Sequence, residues 1–396
     1  MRNKLRQIAI ETKKMIRIIL TAVFQIIFKI IPIKKNKIIM WSYTFKEYSC
    51  NPKYLTEYII SKNDNFDIVW VFNKKMQLPD DFSEEIRIIR FFSLRYLYEI
   101  STAKIIITNA RINKNNFIFK RAKQYYIQTW HGTIPFKKVE KDALDNLSEY
   151  YKKSILKDSK KCDLITSGCK SSSDVYRNSF YYNGEILECG TPRIDFLFRE
   201  NSHINKKVRD YYNIDKDKKI LLYAPTFRNG HALNIYDIDY KILLKVLKST
   251  YNTDWVILFR LHPNMKEESN KLDEFSNGIN YINASLYNDI QDLLIASDIL
   301  ITDFSSCMFD FLYLKKPCFL YASDYDDYIN NNRGLYLDIK ELPFDFAQNN
   351  NELVKNITNF KYNTYSDNSN AFLEKIGNFE NGTACESIFN HIKEIL

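Results

Sequence analysis

Histidine and glycine are scarce in this chain, with 5 and 9 copies in 396 residues. No Gly-x-x-x-x-Gly-Lys-Ser/Thr loop occurs, and no Gly-x-Gly-x-x-Gly follows a strand. Two familiar glycine-rich phosphate cradles are thereby removed. The 7 cysteines are odd in number and scattered, none in a Cys-x-x-Cys pair. Neither a zinc site nor a disulfide framework is indicated, and buried thiols in a reducing compartment are the expectation. There is no His-Glu-x-x-His string and no His/Cys cluster. Asp-x-Asp strings at 215–217, 237–239 and 324–326 recur too freely in an acid-rich chain to mark a metal site. The expectation is chemistry with no metal and no other cofactor, in which cationic side chains and a helix dipole take the part of a divalent ion.

Net charge is also missing from most of the chain. Residues 1–37 hold ten cations and one anion, which equals the whole net charge of +9, and the remaining residues hold 47 of each sign. A nucleic-acid reader keeps its positive charge on a folded surface, so nucleic acid is not an expected partner. The arm continues as MIRIILTAVFQIIFKIIP, apolar but interrupted by Gln25 and Lys29 and stopped by Pro32. That falls short of an ordinary membrane span. Lys13, Arg17, Thr21, Gln25 and Lys29 recur every four residues, a polar ridge on an otherwise apolar helix. No small-residue cleavage site follows. Residues 1–36 read as a basic amphipathic helix lying on an anionic membrane surface. The plain alternative is a helix that packs on the domain.

What is abundant points to a large folded body. Hydrophobic residues make up 45% and aromatics 15%, enough for two cores of ordinary domain size. Strand-like runs lie at 37–43, 67–73, 86–91, 104–109, 125–130, 163–168 and 185–190. Several are continuous apolar runs, as in a parallel sheet covered on both faces. Asn51-Pro52 reads as an N-cap and first helical position for a helix through Ile60. After a hydrophilic stretch from Arg199 to Lys219, a second series follows at 220–225, 255–260, 279–283, 298–302 and 317–321. The expectation is an α/β protein with two Rossmann-like domains, 37–198 and 199–396, facing a cleft. The Asn-rich stretch from Gln348 to Asn370 reads as a loose surface segment.

Four strand ends carry unusual polar residues, and such ends are where these sheets bind ligands. The first is His131-Gly132-Thr133, after YYIQTW. Its plain reading is a turn in which Gly132 supplies a positive φ. The second is Thr226-Phe227-Arg228, the third Arg260-Leu261-His262, and the fourth Asp303-Phe304-Ser305-Ser306. Arg260 and His262 flank one residue and would point to the same side of an extended strand end. Ser305 and Ser306 would stand at a helix N-terminus, where free N–H groups and the dipole favour an anion. A tandem hydroxyl pair plus Asp303 exceeds the needs of simple capping.

Taken together, WHGT followed by lysines, CGTPRIDFL (189–197), YAPTFR (223–228), FRLHP (259–263) and ASDILITDFSS (296–306) resemble the CDP-glycerol:poly(glycerophosphate) glycerophosphotransferases. SCNPKYLTEYI (49–59) and ENGTACESI (380–388) resemble that family's flanking segments. The stretch after His131 is one residue longer than the usual spacing, and Asn381-Gly382 stands where Asp-Gly is common. The resemblance implies a GT-B fold with an N-terminal acceptor domain and a nucleotide-holding C-terminal one. It implies transfer of an alditol phosphate, glycerol phosphate foremost, from a CDP-alditol donor to a lipid-linked saccharide or polyol-phosphate acceptor. The work would be done at the cytoplasmic face of a bacterial membrane, in teichoic acid or capsule synthesis. By position, His131 resembles the proposed base, with His262 as a second catalytic residue. Arg260, His262, Ser305 and Ser306 resemble the diphosphate site, and Gly132, Thr133, Thr226, Arg228 and Asp303 lie beside these as substrate-binding candidates. Fold does not fix function, so a nucleotide-sugar glycosyltransferase and a non-catalytic membrane module binding anionic polymer stay open as alternatives.

Overall fold

The computed structural model describes residues 26–43, 45–73, 78, 79, 82–112, 118, 120–228, 237–261, 281–331 and 334–396, together with 12, 15, 16, 19, 20 and 22–24 of the arm. Two wholly parallel sheets organise it. The first contains β1 (Lys34–Trp41), β2 (Asp67–Phe72), β3 (Arg87–Arg90), β4 (Ala103–Thr108), β5 (Tyr125–Gln128), β6 (Leu164–Ser167) and β7 (Glu185–Glu188). Their order is β3-β2-β1-β4-β5-β6-β7. The second contains β8 (Lys219–Tyr223), β9 (Trp255–Phe259), β10 (Tyr281–Asn283), β11 (Ile299–Thr302), β12 (Cys318–Tyr321) and β13 (Asp345–Ala347), in the order β10-β9-β8-β11-β12-β13. Each order reverses direction once, between β1 and β4 and between β8 and β11. These are the switch points beside which α/β sheets bind ligands.

The apolar runs form central strands because both faces of each sheet are covered. In β1 and β2, Ile39, Trp41, Val69 and Val71 face one core, while Ile38, Met40, Ile68 and Trp70 face another. The period of two divides each run between the two layers. The second sheet repeats this, with Ile220 and Leu222 on one side and Leu221 and Tyr223 on the other.

Three local expectations are corrected. Asn51 does not cap its helix, which runs Cys50–Ser61 with Ser49 before it and no side-chain cap bond. Its side chain is buried and donates to the carbonyls of Thr129 and Trp130, 3.0 Å each, while Oδ1 accepts from Arg193 N at 3.1 Å. The Asn-rich stretch is not loose: it forms helices Asn350–Asn359 and Tyr362–Lys375. Asn349 caps the first by accepting from Glu352 N at 3.0 Å, and Leu353, Ile357, Tyr365 and Phe372 are buried at helical spacing. Finally, Lys37 is not part of an exposed basic arm. It is wholly buried in β1, pairs with Glu99 and donates to Thr102 Oγ1 at 2.8 Å.

The domains are stitched together by the segments that carry the family-like motifs. Ile134 and Phe136, just past His131, pack into the core of the second domain, with Phe136 edge-on to Phe309 at 5.7 Å. Lys138 N donates to Gly334 O and Tyr336 N to Phe136 O, at 2.8 and 2.7 Å. Arg193 forms a buried two-pronged pair with Asp310, at 2.8 and 2.9 Å. The last helix, Ala384–Glu394, packs Cys385, Ile388, Phe389 and Ile392 against the first sheet rather than the second. In the arm, Phe24 and Phe28 pack onto the first domain, and Arg121 donates to the carbonyls of Lys29 and Ile31, 2.9 Å each. Lys13, Arg17, Thr21 and Gln25 of the expected polar ridge lie outside the described residues.

Candidate active site

The chain leaves β5 through Thr129 and Trp130 to reach His131. The positive φ of this turn belongs to Trp130, at 49°, and not to Gly132. Trp130 holds that conformation because its N–H donates to Gln128 Oε1 at 2.9 Å and its carbonyl accepts from Asn51. The His131 ring packs on the Trp130 indole, centroids 4.3 Å apart. Its Nδ1 lies 2.8 Å from the main-chain oxygen of Asn109, the residue after β4. A carbonyl oxygen only accepts, so Nδ1 carries the hydrogen and the neutral ring's lone pair is on Nε2. That is the tautomer a general base needs.

Thr133 is placed differently from the expectation. Its hydroxyl is buried between the domains, donating to Asp310 Oδ1 at 3.0 Å and accepting from Arg193 Nη2 at 2.9 Å. It belongs to the inter-domain joint, which Gln291 extends by donating to Asp310 Oδ2 at 2.7 Å.

In the second domain, Asp303 is 1% exposed and brackets the ends of β8 and β11. It accepts from Thr226 N and from Arg228 Nη2, 2.8 Å each. Arg228 also forms a two-pronged pair with Asp324, at 2.6 and 2.9 Å, and stacks over Tyr328 at 4.5 Å. Burial works against its charge, but the two carboxylates outweigh burial and raise its pKa. Arg228 and Asp303 therefore hold the loops after β8 and β11 in place. Arg260 is buried too, with Nη1 donating to the carbonyls of Ala284 and Tyr287 at 3.1 and 2.7 Å. Burial lowers its pKa, and Asp289 and Glu47 only partly offset this. His262 lies outside the described residues.

Ser305 and Ser306 precede the helix Cys307–Leu312, and Ser306, at its N-cap, makes no side-chain cap bond. Ser305 Oγ accepts from Cys307 N at a long 3.5 Å. Simple capping does not occupy this pair.

One cleft of about 500 Å³ between the domains collects His131 and Gly132 from the first and Thr226, Ser305 and Ser306 from the second. Among the described residues, Thr133, Arg228, Arg260 and Asp303 stand behind its wall and not on it. Asn109, Arg193 and Asp310 were not singled out from sequence, and Asn51 only as a helix cap. Asn109 could have been, by applying the strand-end rule to β4.

His131 from the first domain and the Ser305-Ser306 pair from the second thus line one cleft between two parallel α/β domains. Residues 23–394 match the CDP-Glycerol:Poly(glycerophosphate) glycerophosphotransferase family. The chain belongs to that family and is a transferase of its kind. It is 32% identical over 392 residues to a teichoic acid poly(glycerol phosphate) polymerase of Bacillus spizizenii, covering 95% of this chain and 97% of that one. It is also 32% identical to a teichoic acid glycerol-phosphate transferase of Staphylococcus aureus, with 90% and 93% covered. It spans 49% of a longer polymerase from Bacillus subtilis, at 30% identity over 91% of this chain. Among solved structures, that of the wall teichoic acid polymerase TagF superimposes with a TM-score of 0.82 at 30% identity, covering 100% of this chain and 98% of that one. S. aureus MnaA bound to UDP, at 12% identity and TM-score 0.54 over 90% and 96%, shares the two-domain fold alone.

Proposed function

We propose that this transferase moves glycerol phosphate from CDP-glycerol to a hydroxyl of a membrane-linked, teichoic-acid-type acceptor and releases CMP. The observation that carries the reading is the single cleft shared by His131 and the Ser305-Ser306 pair. His131 Nε2 takes the proton of the acceptor hydroxyl as that oxygen attacks the phosphorus bearing glycerol. The bond from that phosphorus to the bridging oxygen breaks, and CMP leaves with the electron pair. Phosphoryl-type transfer needs little beyond positioning and charge stabilisation. Ser305, Ser306 and Thr226 hold the diphosphate, with Arg260 and His262 as further candidates to stabilise its charge. The test is CMP release over a panel of CDP-alditols and nucleotide sugars. Release of UDP or GDP from a nucleotide sugar, with CDP-glycerol inert, would overturn it.

The same reading places the enzyme peripherally at the cytoplasmic face of the membrane. In support, Ile16, Ile19, Val23, Ile26 and Ile30 of the arm are between 47% and 83% exposed, while Phe24 and Phe28 anchor its other side to the domain. Among the described residues no helix is long and apolar enough to cross a membrane. An amphipathic helix of this kind lies in the interface. Sedimentation with anionic vesicles should fall when Ile16, Ile19 and Ile26 are changed to serine. Unchanged sedimentation would move membrane contact elsewhere.

A further inference from the structure

We propose that Arg193 is a positioning residue for the transfer, a strut between the domains that sets the separation of His131 from the Ser305-Ser306 pair. This rests on the roles proposed above for those residues and names what holds them in register.

On the first-domain side, Arg193 reaches the His131 loop from both directions. Its N–H donates to Asn51 Oδ1 at 3.1 Å, and Asn51 Nδ2 donates to the carbonyls of Thr129 and Trp130, the two residues before His131. Its Nη2 donates at 2.9 Å to Thr133 Oγ1, two residues after His131. The base therefore stands on a segment pinned on either side by way of one residue.

On the second-domain side, the same guanidinium grips Asp310 with Nε at 2.8 Å and Nη2 at 2.9 Å. Asp310 belongs to the helix Cys307–Leu312, which follows Ser305 and Ser306 directly. Met308 N donates to Ser305 O at 3.3 Å and Phe309 N to Ser306 O at 3.1 Å, which ties the helix to the pair. A shift of Asp310 thus carries the serines with it.

The grip is specific in direction as well as distance. A planar guanidinium that meets a carboxylate through two bonds resists both sliding and rotation. Thr133 Oγ1 donates to Asp310 Oδ1 at 3.0 Å and Gln291 Nε2 to Oδ2 at 2.7 Å, so the carboxylate accepts four bonds from within the protein. A carboxylate has room for about four. Arg193 and Asp310 are 4% and 3% exposed, and among the described residues neither lines the cleft. Their part is to hold. Burial works against the charge on Arg193, but Asp310 outweighs burial and raises its pKa. The strut therefore keeps its form across the range in which a histidine titrates. Such holding matters because a misplacement of about 1 Å can cost about 100-fold in rate.

The test measures CMP release from CDP-glycerol by the full chain, with an alkyl-linked glycerol phosphate oligomer as acceptor. Rates are expressed per CDP-glycerol site counted by calorimetry, so that unfolded protein does not enter. Arg193→Lys keeps the charge and loses the two-pronged grip. Its kcat should fall about 100-fold. Its Kd for CDP-glycerol should stay within about twofold, since Thr226, Ser305 and Ser306 lie in one domain and the strut reaches them only as a body. The acid limb of its pH profile should not move, because His131 keeps its bond to Asn109 O. Thr133→Val keeps the shape of threonine and loses the hydroxyl that Arg193 and Asp310 share. It should lower kcat about 10-fold with the same split, the scale of one lost hydrogen bond. Thr133→Ser, which returns the hydroxyl, should restore the rate. A merely structural joint would lower the urea midpoint of these variants and leave the rate per site unchanged. That result overturns the proposal, as does serine faring worse than valine, which would give the work to the Thr133 methyl. An affinity for CDP-glycerol that falls in step with kcat overturns it too, by making Arg193 part of donor binding. If Arg193→Lys does not fold, the Thr133 variants decide alone. If the wild type releases no CMP, the transfer reaction itself has failed and this inference falls with it.

Discussion

At the end of β5 the chain passes through Thr129 and Trp130 to His131, and at the end of β11 through Asp303 and Phe304 to Ser305 and Ser306. The two sheets share a strand order through their first six positions, and both departures lie near a switch point. In each, the polar group nearest the strand holds the loop and the groups two or three residues farther on line the cleft. The means differ. The first domain holds its loop with neutral groups: Gln128, Asn51 and the Asn109 carbonyl. The second uses charges, with Asp303 bound to Arg228 and Arg228 to Asp324. A polar residue at a strand end is therefore ambiguous until its partners are known.

The comparison breaks most visibly at His131. In His131→Ala, turnover measured as CMP release should fall about 10²–10⁴-fold, the usual contribution of a positioned base. CDP-glycerol affinity, read by calorimetry, should hardly change. A variant that turns over like the wild type would remove His131 from the chemistry. The next effect separates the two kinds of residue in the second domain. Asp303→Ala leaves Arg228 without the buried one of its two carboxylates, and breaking such a pair typically costs about 3–5 kcal/mol, visible as a lowered urea midpoint. Ser306→Ala should leave that midpoint alone, since its hydroxyl makes no cap bond. It should weaken CDP-glycerol binding by about 1 kcal/mol, the typical worth of one hydrogen bond. Equal loss of stability in both variants would show that the serines, too, hold the fold.

Much of this was legible because it depends on local pattern. Every strand expected from an apolar run is present, and the run of twelve was divided correctly into two parallel series. β13, three residues of Asp-Phe-Ala, carries too little pattern to be read. The Asn-rich segment was misread because composition outweighed the spacing of Leu353, Ile357, Tyr365 and Phe372. His131, Thr226, Ser305 and Ser306, picked out by position at strand ends, line the one cleft. Thr133, Arg228 and Asp303 also bond within the protein, to partners from distant segments that no local pattern shows. Arg193 and Asp310 are 117 positions apart, and no spacing rule links them. Asn51 looked like a cap since its neighbour is a proline at a helix start, and only the folded chain shows it reaching the backbone of β5's turn.

A smaller effect tests whether the first domain's preference for neutral holding groups extends to its border. Glu380 lies where the chain returns from the second domain, and its carboxyl bonds Thr191 through N at 2.9 Å and Oγ1 at 2.7 Å. It presses so closely on Gly168 and Gly190 that a Cβ at either would collide with it. Burial pushes its pKa up to about 8, against the lowering effect of the Thr191 bonds. The folded protein thus keeps a proton that the unfolded chain loses from its ordinary value of 4.5 upward. Between those two values the native state binds more protons than the unfolded one, so stability falls as the pH rises. Below about 4.5 this contribution is fully present, and by about 8 it is lost. Glutamine has the shape of the neutral acid and does not titrate. Glu380→Gln should therefore be nearly silent at pH 5 and more stable than the wild type at pH 8, when urea midpoints are compared at the two values. A difference between the two proteins that does not change with pH would mean that Glu380 is ionised in the fold. The border would then be held by charge, as the second domain is.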